Sequence, residues 1–150
     1  MNDPYSRQDG PHAKNLRKGR VSLQNQTYLI TTVTACRLPI FADFQNARHL
    51  IGTLKTEANA QTLAFVVMPD HLHWLMTLIN QGQLPKVVKG IKSVSARKIG
   101  KPVWQAGYHE HALRQEANLQ ATARYIIANP LRAGLVERIG DYPHWDAVWL

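Results

Sequence analysis

Residues 61–79 read QTLAFVVM, PD, HLHWLMTLI, and the folding of this stretch decides the rest of the chain. Gln61 to Met68 has the length and apolar character of a buried strand, and His71 to Ile79 reads the same way. Only Pro69 and Asp70 separate them. A connection this short joins neighbouring antiparallel strands. Side chains along a strand alternate between its two faces. His71 and His73 therefore project together, and Leu72 projects to the opposite side.

Working outward, Ala42 to Ala58 carries Phe44, Ala47, Leu50, Ile51 and Leu54 at the three-and-four spacing of an amphipathic helix, with Asp43 placed to cap it. Before it, Gln26 to Ala35 (QTYLITTVTA) is rich in Thr, Val, Ile and Tyr, which suits a strand. After the hairpin, Gly82 and Pro85 mark a turn. Leu84 to Ile99 then predicts a helix with Val87, Val88, Ile91, Val94 and Ala96 on its apolar side, stopped by Gly100. A fourth strand is predicted around Tyr108 to Leu113, and Gln115 to Asn129 predicts a last helix with Leu119, Ala123, Ile126 and Ile127 inward. The tail holds Tyr142, Trp145 and Trp149, which are expected to dock on the domain.

The order β-α-β-β-α-β followed by a helix defines an α+β chain with the plan of a ferredoxin-like sandwich. It predicts a four-stranded antiparallel sheet, helices on one face, a C-terminal helix, and one sheet face left for function. Residues 1–20 are polar, basic and without apolar periodicity, and are expected to be a mobile segment. Residues 21–150 form the expected domain.

Composition narrows the function. No apolar run approaches the roughly 20 residues that cross a bilayer, and residues 1–20 lack the apolar centre of a signal peptide, so a cytoplasmic location is expected. Cys36 is the one cysteine, which excludes an intramolecular disulfide and a cysteine-rich zinc site. The net charge is +8 and unevenly spread. Leu84 to Lys101 holds Lys86, Lys89, Lys92, Arg97, Lys98 and Lys101 with no acid, and Lys14, Arg17, Lys18 and Arg20 form a second cluster. Clustered positive charge favours a polyanion such as nucleic acid. A merely solvated basic face has the same composition.

Two constellations carry chemistry. Two imidazoles on one strand face can hold a divalent ion. His71 and His73 form one such pair, and His109 with His111 forms another. Spacing alone does not choose between them, nor between ligands and plain surface histidines. Tyr125 and Asn129, four apart, share a helix face. A tyrosine hydroxyl can attack phosphorus and store the bond as a phosphotyrosine. A metal would offset charge on the phosphate, with the Asn129 amide oxygen as a third ligand. A packed tyrosine and a helix-ending asparagine give the same spacing. Asp70 reads either as a turn residue or as a partner that orients His71. Four tryptophans could stack on bases but are more often core.

Taken together, Pro69-Asp70-His71-Leu72-His73-Trp74, then Val103-Trp104-Gln105, then Arg124-Tyr125-Ile126-Ile127-Ala128-Asn129-Pro130-Leu131-Arg132-Ala133-Gly134-Leu135-Val136 resemble the HUH-type single-tyrosine transposases, and more closely the REP-associated tyrosine transposases of bacteria. The resemblance implies that His71, His73 and Asn129 bind Mg²⁺ or Mn²⁺ and that Tyr125 is the nucleophile. It implies a single-stranded DNA substrate folded into palindromic hairpins. It implies a 5′-phosphotyrosine and a free 3′-OH as products, with rejoining as the reverse step. It demotes His109 and His111 to DNA contacts. It assigns Arg17, Lys18 and Arg20 to a tetranucleotide at the foot of the hairpin. Lys86, Lys89, Lys92, Arg97, Lys98 and Lys101, with Arg114 and Arg132, become further DNA contacts. A monomer is favoured over a helix-swapped dimer. The alternative is a hairpin-binding regulator that no longer cuts. An RNA-binding domain is a third reading, but the strands lack the aromatic contact signature it needs.

Overall fold

A computed structural model describes residues 25–149. The expected mobile segment 1–20, with Arg17, Lys18 and Arg20, lies outside the described residues. The elements are β1 (Thr27–Val33), α1 (Phe44–Lys55), β2 (Ala60–Met68), β3 (His71–Leu78), α2 (Leu84–Ile99), β4 (His109–Leu113), α3 (Glu116–Ile127), the single turn α4 (Asn129–Arg132) and β5 (Trp145–Ala147). The sheet order is β4-β1-β3-β2-β5, and every pair is antiparallel.

The α+β plan holds, but the sheet has five strands where four were expected. Trp145–Ala147 pairs with Ala64–Val66 of β2. Without it, β2 would present a bare edge of backbone donors and acceptors. Three residues are too few to show alternation, so the tail read only as a docking segment.

Alternation sorts the core into two layers. On one face, Tyr28, Ile30, Phe65, Val67, Leu72, Trp74, Met76 and Leu78 meet the inward stripes of α1 (Ala47, Leu50, Ile51, Leu54) and α2 (Leu84, Val87, Val88, Ile91). Each fully buried Leu or Ile here contributes about 1.5–3 kcal/mol. Trp74 is completely buried because its Nε1–H donates to Thr62 Oγ1 at 2.8 Å. Asp43 caps α1 by accepting from the Asn46 N–H, and Gly100 ends α2 with a positive φ of 91°. On the other face, Leu29, Ala64, Val66, Met68, Leu75 and Leu113 meet Ala123, Ile126 and Ile127 of α3. The face expected to be open is thus partly covered by α3, and its polar residues lie on β1, β3 and β4.

α3 stops at Ile127, short of the predicted Asn129. Pro130 has no N–H to give the Ile126 carbonyl. The Asn129 Nδ2 donates to that oxygen instead, at 3.1 Å. Tyr125 and Asn129 therefore lie on two successive helical pieces and not on one continuous face.

Candidate active site

β3 is the central strand, and its turn is pinned on both sides. The Asp70 carbonyl accepts from Thr34 N–H (2.9 Å) and Thr34 Oγ1 (3.2 Å), and the Pro69 carbonyl accepts from Phe41 N–H (2.9 Å). This fixes the register that sets His73 opposite Thr31 and Val66, and His71 opposite Val33 and Met68. Leu72 enters the α1–α2 layer with no exposed surface. Both imidazoles are driven to the α3 face, where their ring centroids are 4.9 Å apart, edge to face.

Each imidazole has its Nδ1 engaged. Asp70 Oδ1 lies 2.7 Å from His71 Nδ1, so the ring N–H donates to the carboxylate and Nε2 is turned away from it. Asp70 is thus both the turn residue and the orienting partner. Burial pushes its carboxyl up. The hydrogen bond and charge of His71, followed by those of Arg37, outweigh burial and hold it below the ordinary carboxylate value. Arg37 Nη1 reaches Asp70 Oδ2 at 3.3 Å. Thr31 Oγ1 lies 2.9 Å from His73 Nδ1, and accepting that proton would set the same tautomer. Burial first, then His71 and the Arg132 cation, lowers the His73 pKa from 6.5 to about 3. His73 is therefore neutral at ordinary pH, the form that ligates metal.

Tyr125 sits one residue from the buried stripe of α3 and is 58% exposed. The chain then reverses through α4, which carries Arg132 back over it. The Arg132 guanidinium lies 4.1 Å from the centre of the Tyr125 ring, and its Nη2 donates to the Tyr125 carbonyl at 2.8 Å. The same cation acts on the charge of His73.

Among the described residues, no three His, Cys, Asp or Glu side chains converge as metal ligands. Two imidazoles and one amide oxygen are the donor set that Asn129 would complete. Such a set fits a divalent ion that keeps positions for water and phosphate oxygens.

The other sequence candidates fall elsewhere. His109 and His111 lie on the same sheet face, but β1 stands between β4 and β3. Two strand spacings, about 10 Å, separate the two H-x-H pairs. α2 packs on the opposite face, so Lys86, Lys89, Arg97, Lys98 and the nearby Lys101 are exposed across the sheet from the histidines. Lys92 is half-buried and donates to the carbonyls of Gln105 and Gly107, both at 2.8 Å, and burial lowers its pKa. Lys98 donates to Thr53 Oγ1 at 3.2 Å. Arg114 is exposed just past β4. All four indole N–H groups are spent inside the protein, on Thr62, Ser95, the Ile139 carbonyl and Glu116. Sequence reasoning missed Thr31 and Arg37. Alternation put Thr31 on one face of β1, but only the register brings it to His73. Arg37 meets Asp70 through a turn in which Cys36 and Arg37 both have positive φ, and nothing local announces that turn.

A five-stranded sheet with a paired-histidine strand and a tyrosine helix behind it defines a class. Residues 22–129 match the family model described as Transposase IS200 like, and the chain belongs to that family. It is 30% identical over 102 residues to a REP-associated tyrosine transposase of Escherichia coli K12, covering 67% of this chain and 62% of that one. A Haemophilus influenzae protein provisionally given the same name is 28% identical over an aligned length of 100, covering 56% of this chain and 57% of that one. The chain spans less than two thirds of the length of either relative. The solved structure of a REP-associated tyrosine transposase bound to a REP hairpin matches with a TM-score of 0.71 at 27% identity, covering 84% of this chain and 79% of that one.

Proposed function

We propose that the chain cuts and rejoins single-stranded DNA folded into palindromic hairpins, through a covalent 5′-phosphotyrosine on Tyr125. One observation carries this reading. The helix α3, which presents the exposed Tyr125, packs on the same sheet face to which the half-buried His71–His73 pair projects.

In this reading Tyr125 Oη bonds to the scissile phosphorus, and the bond from phosphorus to the 3′ oxygen breaks. The electron pair leaves on that oxygen, which gains a proton to replace the one the phenol releases. Attack by a 3′-OH on the phosphotyrosine runs the step backward and joins strands. His71, His73 and Asn129 would hold Mg²⁺ or Mn²⁺. Such an ion, when bound, supplies positive charge to the non-bridging phosphate oxygens. Asp70 and Thr31 keep the two rings turned toward it. The hairpin-bound relative supports the substrate class. Exposed Lys86, Lys89, Arg97, Lys98, Lys101 and Arg114 are assigned to phosphates of the hairpin, and Arg17, Lys18 and Arg20 to its single-stranded foot. Lys92 serves the loop before β4 instead.

The test uses end-labelled hairpin DNA with Mn²⁺ and a denaturing gel. Wild type is expected to give a covalent adduct, Tyr125→Phe none, and His71→Ala or His73→Ala at least a hundredfold less. Hairpin binding without any adduct would replace cutting by a regulatory binding role. Loss of activity in His109→Ala, with His71→Ala and His73→Ala active, would transfer the ligand role to the other pair.

A further inference from the structure

A phenol is a poor nucleophile near neutral pH, with an ordinary pKa near 10. Something must favour the charge that builds on its oxygen. Beyond general contact with DNA, we infer that Arg132 is the positioning residue for Tyr125: it holds the ring and the backbone carbonyl of the nucleophile and supplies positive charge beside the attacking phenol. The inference rests on Tyr125 being the nucleophile.

Geometry carries it. Tyr125 is exposed on the outer side of α3, and an exposed tyrosine ring ordinarily has freedom to turn. Here the guanidinium carbon lies over the ring, 4.1 Å from its centre, with Nη2 tied to the carbonyl of the same residue at 2.8 Å. One side chain thus fixes the backbone and the ring of one other residue. The hold depends on the break at Pro130. A continuous helix would carry residue 132 about two turns along the axis, away from residue 125. The separate turn α4, closed by the Ala133 N–H to Asn129 carbonyl bond and the Gly134 N–H to Leu131 carbonyl bond, brings it back. A guanidinium suits the task because it stays charged, is planar for stacking and can donate at its edge while its face is occupied. A phenolate ring carries more negative charge on its face than a phenol, so the contact strengthens as the proton leaves, before the new bond to phosphorus draws that charge away. That is the differential stabilisation that lowers a barrier.

The experiment compares wild type, Arg132→Ala and Arg132→Lys in single-turnover adduct formation on hairpin DNA with Mn²⁺, from pH 7 to 9.5. Hairpin affinity is measured alongside. Arg132→Ala is expected to be at least a hundredfold slower at pH 7, with the deficit shrinking below tenfold at pH 9.5, where solvent alone supplies more phenolate. Added guanidinium should restore part of the rate at pH 7. Arg132→Lys should recover only part, because an ammonium cannot lie flat and bond the carbonyl together. A purely phosphate-binding or structural arginine would give a deficit that does not change with pH. That result, or an unchanged rate, overturns the inference alone. An adduct that survives Tyr125→Phe, or no adduct from wild type, overturns the nucleophile reading and the inference with it.

Discussion

At the scale of single residues, the site is a set of side chains each held by a second. His71 has Asp70, which has Arg37; His73 has Thr31; Tyr125 has Arg132. That His71 and His73 share a face was legible from alternation, because a strand puts residues two apart on one side, but only the resemblance chose them over His109 and His111. The partners Thr31 and Arg37 were not legible, because they reach the site through register and an unusual turn. Orienting partners of ligating histidines are commonly worth about 10–100-fold in metal affinity. Asp70→Ala is therefore expected to weaken Mn²⁺ binding by about that factor, measured by calorimetry; unchanged affinity would reduce Asp70 to a turn residue. His73 gives a pH prediction. Its folded pKa is about 3 against 6.5, so between these values the unfolded chain takes a proton that the folded one refuses. The contribution is intact above pH 6.5 and is lost as pH falls toward 3. Urea titrations without added metal should show wild type losing more stability over that window than His73→Gln. Parallel losses would contradict the burial of a neutral His73.

At the scale of elements, helices and long strands followed from periodicity, while the short pieces did not. β5 is three residues long, and α3 ends early because Pro130 denies Ile126 its backbone donor. The basic helix α2 was read as one charged surface, yet its lysines differ. Lys92 is spent on two loop carbonyls, whereas Lys86 and Lys89 are exposed. Spacing showed which residues were basic, not which way each was pulled. Lys89→Ala should leave thermal stability unchanged and flatten the salt dependence of hairpin binding by about 0.7–0.9 in log–log slope. Lys92→Met should do the reverse, costing about 1–2 kcal/mol of stability with the slope unchanged. Denaturation curves and salt titrations on both variants decide the matter. α2 also lies across the sheet from the histidines, so neither change should alter the cutting rate on saturating DNA.

At the scale of the whole molecule, α3 packs on the sheet face to which His71 and His73 project, and Arg132 of the following turn contacts Tyr125. A working monomer, the state expected from the sequence, has a direct test. Mixing Tyr125→Phe with His71→Ala should then give no activity; recovered cutting would mean that helices are exchanged between copies to rebuild one intact site. No described helix is long and apolar enough to cross a membrane. The central claim is that Tyr125 takes the DNA. The most direct measurement is mass spectrometry of the trapped adduct after nuclease and protease digestion. The account predicts a 5′-linked nucleotide remnant on the peptide containing Tyr125, with fragmentation placing it on that side chain. A remnant on any other residue would contradict it.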